Sequence, residues 1–189
     1  MKTLLVTGIG GDIGQSLIKC IRGSGYRFRI LGIDIDIFAA GRKEVDKFYN
    51  SPPATEPGKY LNFLKKVIKL EDARYIFPTS EDEIGFYNLQ RAFFGKNGIK
   101  VFINNAFIIE TFLDKLKTAN FLKKYGFSVP DTYALDSYHS EASFPLLLKP
   151  RRSYGGKGLI YVENKGELLF YKKKLKNYVV QDVVANADE

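Results

Sequence analysis

The first 34 residues constrain the fold more than any other stretch. Lys2 to Thr7, with the apolar run Leu4 to Val6 inside it, reads as a buried strand, glycines follow at Gly8, Gly10 and Gly11, and from Ile13 to Ile21 the apolar positions recur at helical spacing. Gly23-Ser24-Gly25 ends that helix, and Arg29-Ile30-Leu31-Gly32-Ile33-Asp34 reads as a second strand closing on an acid. Two strands joined through a helix pair in parallel, by a right-handed crossover. A parallel sheet needs helices on both faces to cover it, so a doubly wound α/β fold is expected.

The same grammar continues through a Pro- and Gly-containing loop (Ser51 to Gly58), a helix from Tyr60 to Leu70 and a strand Tyr75 to Thr79. Ser80 is placed to cap a further helix whose first turn, Glu81-Asp82-Glu83, suits the positive end of the helix dipole. Val101 to Asn104 reads as the next strand, and residues 1–112 are expected to form one domain. Beyond it the pattern changes. A lysine-rich amphipathic helix, Asp114 to Tyr125, is stopped by Gly126 and Pro130. Short strands follow at Thr132 to Leu135, Phe144 to Lys149, Leu159 to Val162 and Tyr178 to Asp182, with one helix from Gly166 to Leu175. Four strands with two helices make a small α+β unit, assigned to residues 113–189.

Composition excludes several classes of function. A single cysteine (Cys20) and a single histidine (His139) rule out disulfides within the chain and multi-Cys or multi-His metal sites, so a metal would have to sit on oxygen ligands. Cys20 is expected to be a buried thiol and His139 to be solvated. The net charge of +8 is spread out: residues 1–109 hold 16 Lys+Arg against 11 Asp+Glu, and residues 110–189 hold 13 against 10. That distribution offers no basic track for nucleic acid, and Lys172-Lys173-Lys174 reads as a solvated helix face. No apolar run is long enough to span a membrane, and the N-terminus lacks the apolar core of a secretory signal, so a cytoplasmic protein is expected.

Two segments have the make-up of ligand sites. Gly8-Ile9-Gly10-Gly11-Asp12-Ile13-Gly14 joins a strand to a helix, with Asp34 at the distance of a ribose-binding carboxylate. Its G-x-G-x-x-x-G spacing is one residue longer than the usual dinucleotide pattern. A structural tight turn, an anion site and a nicotinamide site, which would make the protein an NAD(P)-dependent oxidoreductase, all remain open. Tyr161 and Lys165 have the spacing of a dehydrogenase pair but straddle a strand end and a turn. The second segment runs from Phe144 to Leu159. An apolar strand delivers Lys149, and a loop with Gly155, Gly156 and Gly158 returns into another strand. Lysine offers charge to phosphate oxygens, and glycines let backbone N–H groups approach them with no Cβ in the way. Because this loop joins two strands, it suits a flap over a nucleotide.

The order Asp114-Lys115-Leu116-Lys117-Thr118, Phe121 to Pro130, Phe144 to Gly158, then Val179-Val180-Gln181-Asp182 resembles the ATP-grasp superfamily, with carbamoyl-phosphate synthetase-like proteins as the nearest branch. Residues 1–112 look like the Rossmann-like pre-ATP-grasp domain of those proteins. The resemblance implies that Lys115 and Lys149 contact ATP phosphates and that Ser153, Gly155, Gly156 and Gly158 belong to the flap. It implies an adenine-reading hinge at Gln181, Asp182, Val183, Val184 and Ala185, with Asp182 where the family has glutamate, and a ribose-binding carboxylate at Glu189. The family's magnesium ligands and catalytic arginine lie in a second lobe that would follow residue 189. The chain therefore reads as the N-terminal part of an ATP-dependent carboxylate ligase working through an acyl phosphate, with Mg2+ expected only in the longer protein. The partners implied are ATP and a carboxylate substrate, and a homo-oligomer is compatible with the family. A non-catalytic nucleotide-binding module is the other reading. For these 189 residues alone, weak ATP binding, little hydrolysis and a poorly ordered Arg152 to Lys157 are expected.

Overall fold

The computed structural model describes residues 1–139 and 143–184, and these fall into two compact units, Met1–Ala106 and Phe107–Glu189. In the first unit β1 (Lys2–Thr7), β2 (Phe28–Asp34), β3 (Lys47–Asn50), β4 (Tyr75–Phe77) and β5 (Lys100–Val101) form one parallel sheet in the order β3-β2-β1-β4-β5. The expected doubly wound sheet is thus present. Its helices are α1 (Asp12–Gly23), α2 (Pro57–Glu71), α3 (Glu81–Leu89) and α4 (Arg91–Lys96).

Strand alternation explains the two layers of core. On one face Leu5, Leu31, Ile33 and Ile76 pack with Tyr60, Leu64 and Val67 of α2, Phe86 and Tyr87 of α3 and Phe94 of α4. On the other, Val6 and Ile30 pack with Ile9 and with Ile18 of α1. Side chains of successive strand residues point to opposite faces, so a central strand buried on both sides reads as the continuous apolar run seen in β1. Ser80 caps α3 as expected, its hydroxyl accepting from the Glu83 N–H at 3.4 Å and donating to Glu83 Oε2 at 2.8 Å.

Cys20 corrects the sequence reading, for it is exposed. The inward line of α1 runs through Gly14 and Ile18, and a residue two positions beyond Ile18 turns away from the sheet. The helix after Ser80 is also interrupted, at Gln90, between α3 and α4. Lys47–Asn50, unassigned from the sequence, adds an edge strand.

The second unit holds α5 (Ala106–Phe112), α6 (Lys115–Lys124), β6 (Thr132–Ala134), β7 (Leu146–Pro150), β8 (Ile160–Val162), α7 (Lys165–Lys174) and β9 (Tyr178–Asp182). The strands pair antiparallel in the order β6-β9-β7-β8. One face of this sheet, carrying Leu146, Leu148, Val162 and Val180, is covered by Leu168 of α7 together with Leu135 and Tyr138. The register puts Leu147 opposite Gln181, and Gln181 opposite Thr132, so the opposite face carries Lys149, Gln181 and Thr132. No helix among the described residues is long and apolar enough to cross a membrane.

Candidate functional site

The second unit joins several of the residues singled out in its sequence, Lys115 with Ser153 and Lys149 with Gln181. Lys149 is the fourth residue of β7, on the face away from the α7 core, and is half-buried. Its Nζ donates to Gln181 Oε1 at 2.5 Å. Gln181 Nε2 donates to Thr132 Oγ1 at 2.8 Å, and that hydroxyl donates to the Pro130 carbonyl at 2.9 Å. A line of polar groups therefore crosses three strands. Burial pushes the Lys149 ammonium below its ordinary pKa, and the positive charge of Lys115 pushes it the same way. Two cations close enough to perturb one another are the electrostatic preparation for an anion.

Lys115 begins α6. Its Nζ donates to the Ser153 carbonyl at 2.7 Å and to the Ser153 hydroxyl at 3.0 Å, and its backbone N–H donates to the Arg151 carbonyl at 2.9 Å. The adjacent Asp114, 4% exposed, caps α6 by accepting from the Leu116 and Lys117 N–H groups at 3.1 and 3.3 Å. The same carboxylate receives both arms of Arg151, Nε at 3.1 Å and Nη2 at 2.7 Å. Burial alone would raise the Asp114 carboxyl, but Arg151 and the helix N–H groups outweigh it and hold the carboxyl low. The start of α6 is thereby riveted to the start of the glycine loop. Neither Arg151 nor Thr132 was singled out from sequence. An Asp in front of a helix marks a cap, but nothing local shows that the same carboxylate takes a partner 37 positions on.

The loop from Ser153 to Gly158 is built on left-handed glycines, Gly155 (φ +60°), Gly156 (φ +69°) and Gly158 (φ +76°). Gly155 faces open space and a Cβ on Gly156 would only touch Leu159 Cδ1 at an ordinary 3.8 Å, whereas a Cβ on Gly158 would lie 2.7 Å from Pro150 Cγ. The chain makes two overlapping turns here, Lys157 N–H to Tyr154 O and Leu159 N–H to Gly156 O. The Lys157 ammonium lies 4.6 Å from the centre of the Tyr154 ring. At the end of β9 Asp182 is exposed, with Val183 half-buried and Val184 exposed beside it. Ala185 and Glu189 lie outside the described residues.

The glycine turn of the first unit is differently built. Asp34 Oδ2 accepts from the Gly10 N–H at 2.7 Å and Oδ1 from the Asp36 N–H at 2.9 Å, so the carboxylate proposed for a ribose is bound into the turn itself. A Cβ at Gly14 would lie 2.4 Å from the Gly8 carbonyl oxygen, which makes that glycine a packing requirement between helix and turn. The nicotinamide reading has no support in this geometry. Tyr161 sits on β8 and Lys165 at the head of α7, both exposed, and no contact joins them among the described residues.

Comparison with known proteins adds to this geometry. Residues 112–187 match the family model of the ATP-grasp domain. No curated protein matches the sequence. The fold is similar to that of an L-amino acid ligase from Bacillus licheniformis (TM-score 0.70, 14% identity, covering 97% of this chain and 44% of that one). It is also similar to N5-carboxyaminoimidazole synthetase from Staphylococcus aureus, solved with ADP (0.71, 18%, 97% and 48%). A third similarity is to the biotin carboxylase domain of Hydrogenobacter thermophilus 2-oxoglutarate carboxylase, solved as a dimer with MgADP, ADP and bicarbonate (0.72, 19%, 98% and 45%). The chain spans less than half the length of each of these proteins. Residues 112–187 are thus similar to the ATP-grasp domain, and the chain shares its fold with the parts of these ligase, synthetase and carboxylase structures that it covers.

Proposed function

We propose that this chain supplies one wall of the nucleotide site of an ATP-dependent carboxylate ligase. The observation that carries the reading is that Lys115, bonded to Ser153 at the start of the glycine loop, is near enough for its charge to act on Lys149, in a unit that matches the ATP-grasp domain. An ammonium has three donors, and among the described residues Lys149 uses one on Gln181, leaving two for phosphate oxygens. Exposed backbone N–H groups at Gly155 and Gly156 would close over the same oxygens, since no Cβ stands in their way. The backbone of Asp182 to Val184, at the end of β9, is where adenine would be read.

In the reaction proposed for the whole ligase a substrate carboxylate oxygen attacks the γ-phosphorus of ATP. The bond from that phosphorus to the bridging oxygen breaks and ADP leaves. A nucleophile then attacks the acyl carbon of the acyl phosphate and expels phosphate. Such transfer depends on holding the reacting groups in line and on neutralising their charge. Lys115 and Lys149 supply the charge that this chain contributes. Among the described residues no group of three or more His, Cys, Asp or Glu side chains gathers.

A titration of isotope-labelled protein with ATP, followed by nuclear magnetic resonance, tests the reading. Amide signals of Lys115, Lys149, Gly155 and Gly156 are expected to move together in a saturable way, and Lys149→Ala is expected to weaken the binding about ten-fold or more. Saturable shifts confined to the Gly8 to Gly14 turn, or none at all, would refute it.

A further inference from the structure

We propose that Thr132 and the side chain of Gln181 are positioning residues that aim Lys149 at the polyphosphate of a bound nucleotide. The inference rests on the nucleotide reading above and gives a role to a residue, Thr132, that the ATP-grasp resemblance did not mark. It also gives the Gln181 side chain a task other than adenine recognition.

The hydrogen bonds have only one consistent sense. Lys149 carries donors and no acceptor, so the oxygen of the Gln181 amide must face it, which turns the Gln181 NH2 toward Thr132. Thr132 Oγ1 accepts there and sends its own proton to the Pro130 carbonyl. Reversing any member would set donor against donor or acceptor against acceptor. The amide therefore cannot flip, and the long lysine side chain is drawn along the sheet toward β9 and β6. The strand register supplies the spacing: Thr132 and Gln181 are directly opposite on β6 and β9, and Lys149 is a diagonal neighbour of Gln181 across β7 and β9.

The chemistry of the partner matters as much as its place. A carboxylate in the position of Gln181 would also orient the ammonium, but it would cancel the charge that a phosphate needs. A neutral amide orients without cancelling. Lys149 is already pushed toward deprotonation by burial and by Lys115, so a neutral acceptor on one donor leaves the positive end directed outward, with two donors for oxygens. Thr132 is partly exposed on the edge strand β6, so Thr132→Val keeps the β-branched shape and removes only the hydroxyl.

The test is a double-mutant cycle in the full 189-residue protein, read as affinity for ATP and for adenosine. Thr132→Val is expected to weaken ATP about five-fold, the equivalent of one lost hydrogen bond, and to leave adenosine affinity unchanged, because adenosine has no phosphate for Lys149 to hold. Thr132→Ser should restore ATP affinity. In the Lys149→Ala background Thr132→Val should add nothing further. Gln181→Glu should weaken ATP more than Thr132→Val does, since it brings a negative charge to the site. If Thr132→Val unfolds the second unit, Gln181→Met replaces it in the same cycle. Equal losses for ATP and adenosine, or additive losses with Lys149→Ala, would show that the chain merely braces the sheet and would overturn the proposal. Should Lys149→Ala bind ATP as well as the parent does, the nucleotide reading itself fails, and this inference with it. A Lys149→Ala defect without a Thr132→Val defect overturns the positioning role alone.

Discussion

Replacing Asp114 with alanine should loosen the second unit at two places at once, and the two contributions are separable. The carboxylate caps α6 through two backbone N–H groups and also takes the bidentate Arg151. Loss of an N-cap costs about 1 kcal/mol. Loss of the charge-assisted pair costs about 1 to 2 kcal/mol more, the low end of such bonds, because the Arg151 side chain is 30% exposed and recovers hydration when its partner goes. Asp114→Ala should therefore cost about 2 to 3 kcal/mol. Asp114→Asn keeps a good capping oxygen and surrenders only the charge, so it should cost about half as much. In a unit of this size that difference corresponds to several degrees in melting temperature. Because the two units need not unfold together, hydrogen exchange at the Leu116 and Lys117 amides is the suitable measurement. Equal costs for alanine and asparagine, or a cost below about 0.5 kcal/mol for alanine, would refute the reasoning.

Two further outcomes follow from the geometry. Gly158→Ala should destabilise the loop and β8 by more than Gly155→Ala, although both are left-handed, because only Gly158 would bring a Cβ to 2.7 Å from Pro150; limited proteolysis at the loop should rank the two variants in that order. Glu71 receives Lys47, Tyr49 and Arg29, with the hydrogen bond from Lys47 the largest influence, and its carboxyl is held at about 2 against an ordinary 4.5. A depressed folded-state value means that its stabilisation is complete above the unfolded value and is lost as the pH falls from 4.5 toward 2. Urea midpoints should drop through that window in the parent, and Glu71→Gln should flatten the drop.

What the sequence disclosed, and what it withheld, follow from the range of the interactions. The β-α-β start was legible because a strand buried on both faces reads as a run of apolar residues, as Leu4 to Val6 do in β1. The Ser80 cap was legible because a cap acts within three residues, and a serine followed by three acids suits the first turn of a helix. Lys47–Asn50 was missed because an edge strand half exposed on both faces carries neither alternation nor a continuous apolar run. Cys20 was misplaced because its neighbours Leu17, Ile18 and Ile21 suggested a wider apolar stripe than α1 buries. At the candidate site, Lys115 and Lys149 stood out by residue type and by the resemblance they carry. The partners that orient them did not. Gln181 and Thr132 meet across 49 positions, and that meeting exists only once the register of β6 on β9 is set.

The glycine turn of the first unit invites the same separation of packing from chemistry, and a pair of alanine variants supplies it. In a ligand cradle the glycines clear space on the side where the ligand enters, so an added methyl group would meet little of the protein. Gly14 is the reverse case: its missing Cβ would fall 2.4 Å from the Gly8 carbonyl oxygen and 2.8 Å from Ile9 Cα, both backbone atoms that no side-chain rotation can move aside. Helix α1 would have to shift off the sheet, at a cost at or above the upper end of overpacked cores, about 3 kcal/mol. Gly11 lies in the same turn, and its Cβ would meet only the Gly8 carbonyl oxygen, at an ordinary 3.6 Å, so Gly11→Ala should stay within about 0.5 kcal/mol. Thermal unfolding of the first unit reads both numbers, and an NADH fluorescence titration of the parent reads the competing role. A Gly14→Ala protein that melts with the parent, together with enhanced nicotinamide fluorescence, would return the turn to cofactor binding. A large loss at Gly14, little at Gly11 and a flat titration would mean that the turn's glycines exist to let β1, α1 and the Asp34 carboxylate close on one another.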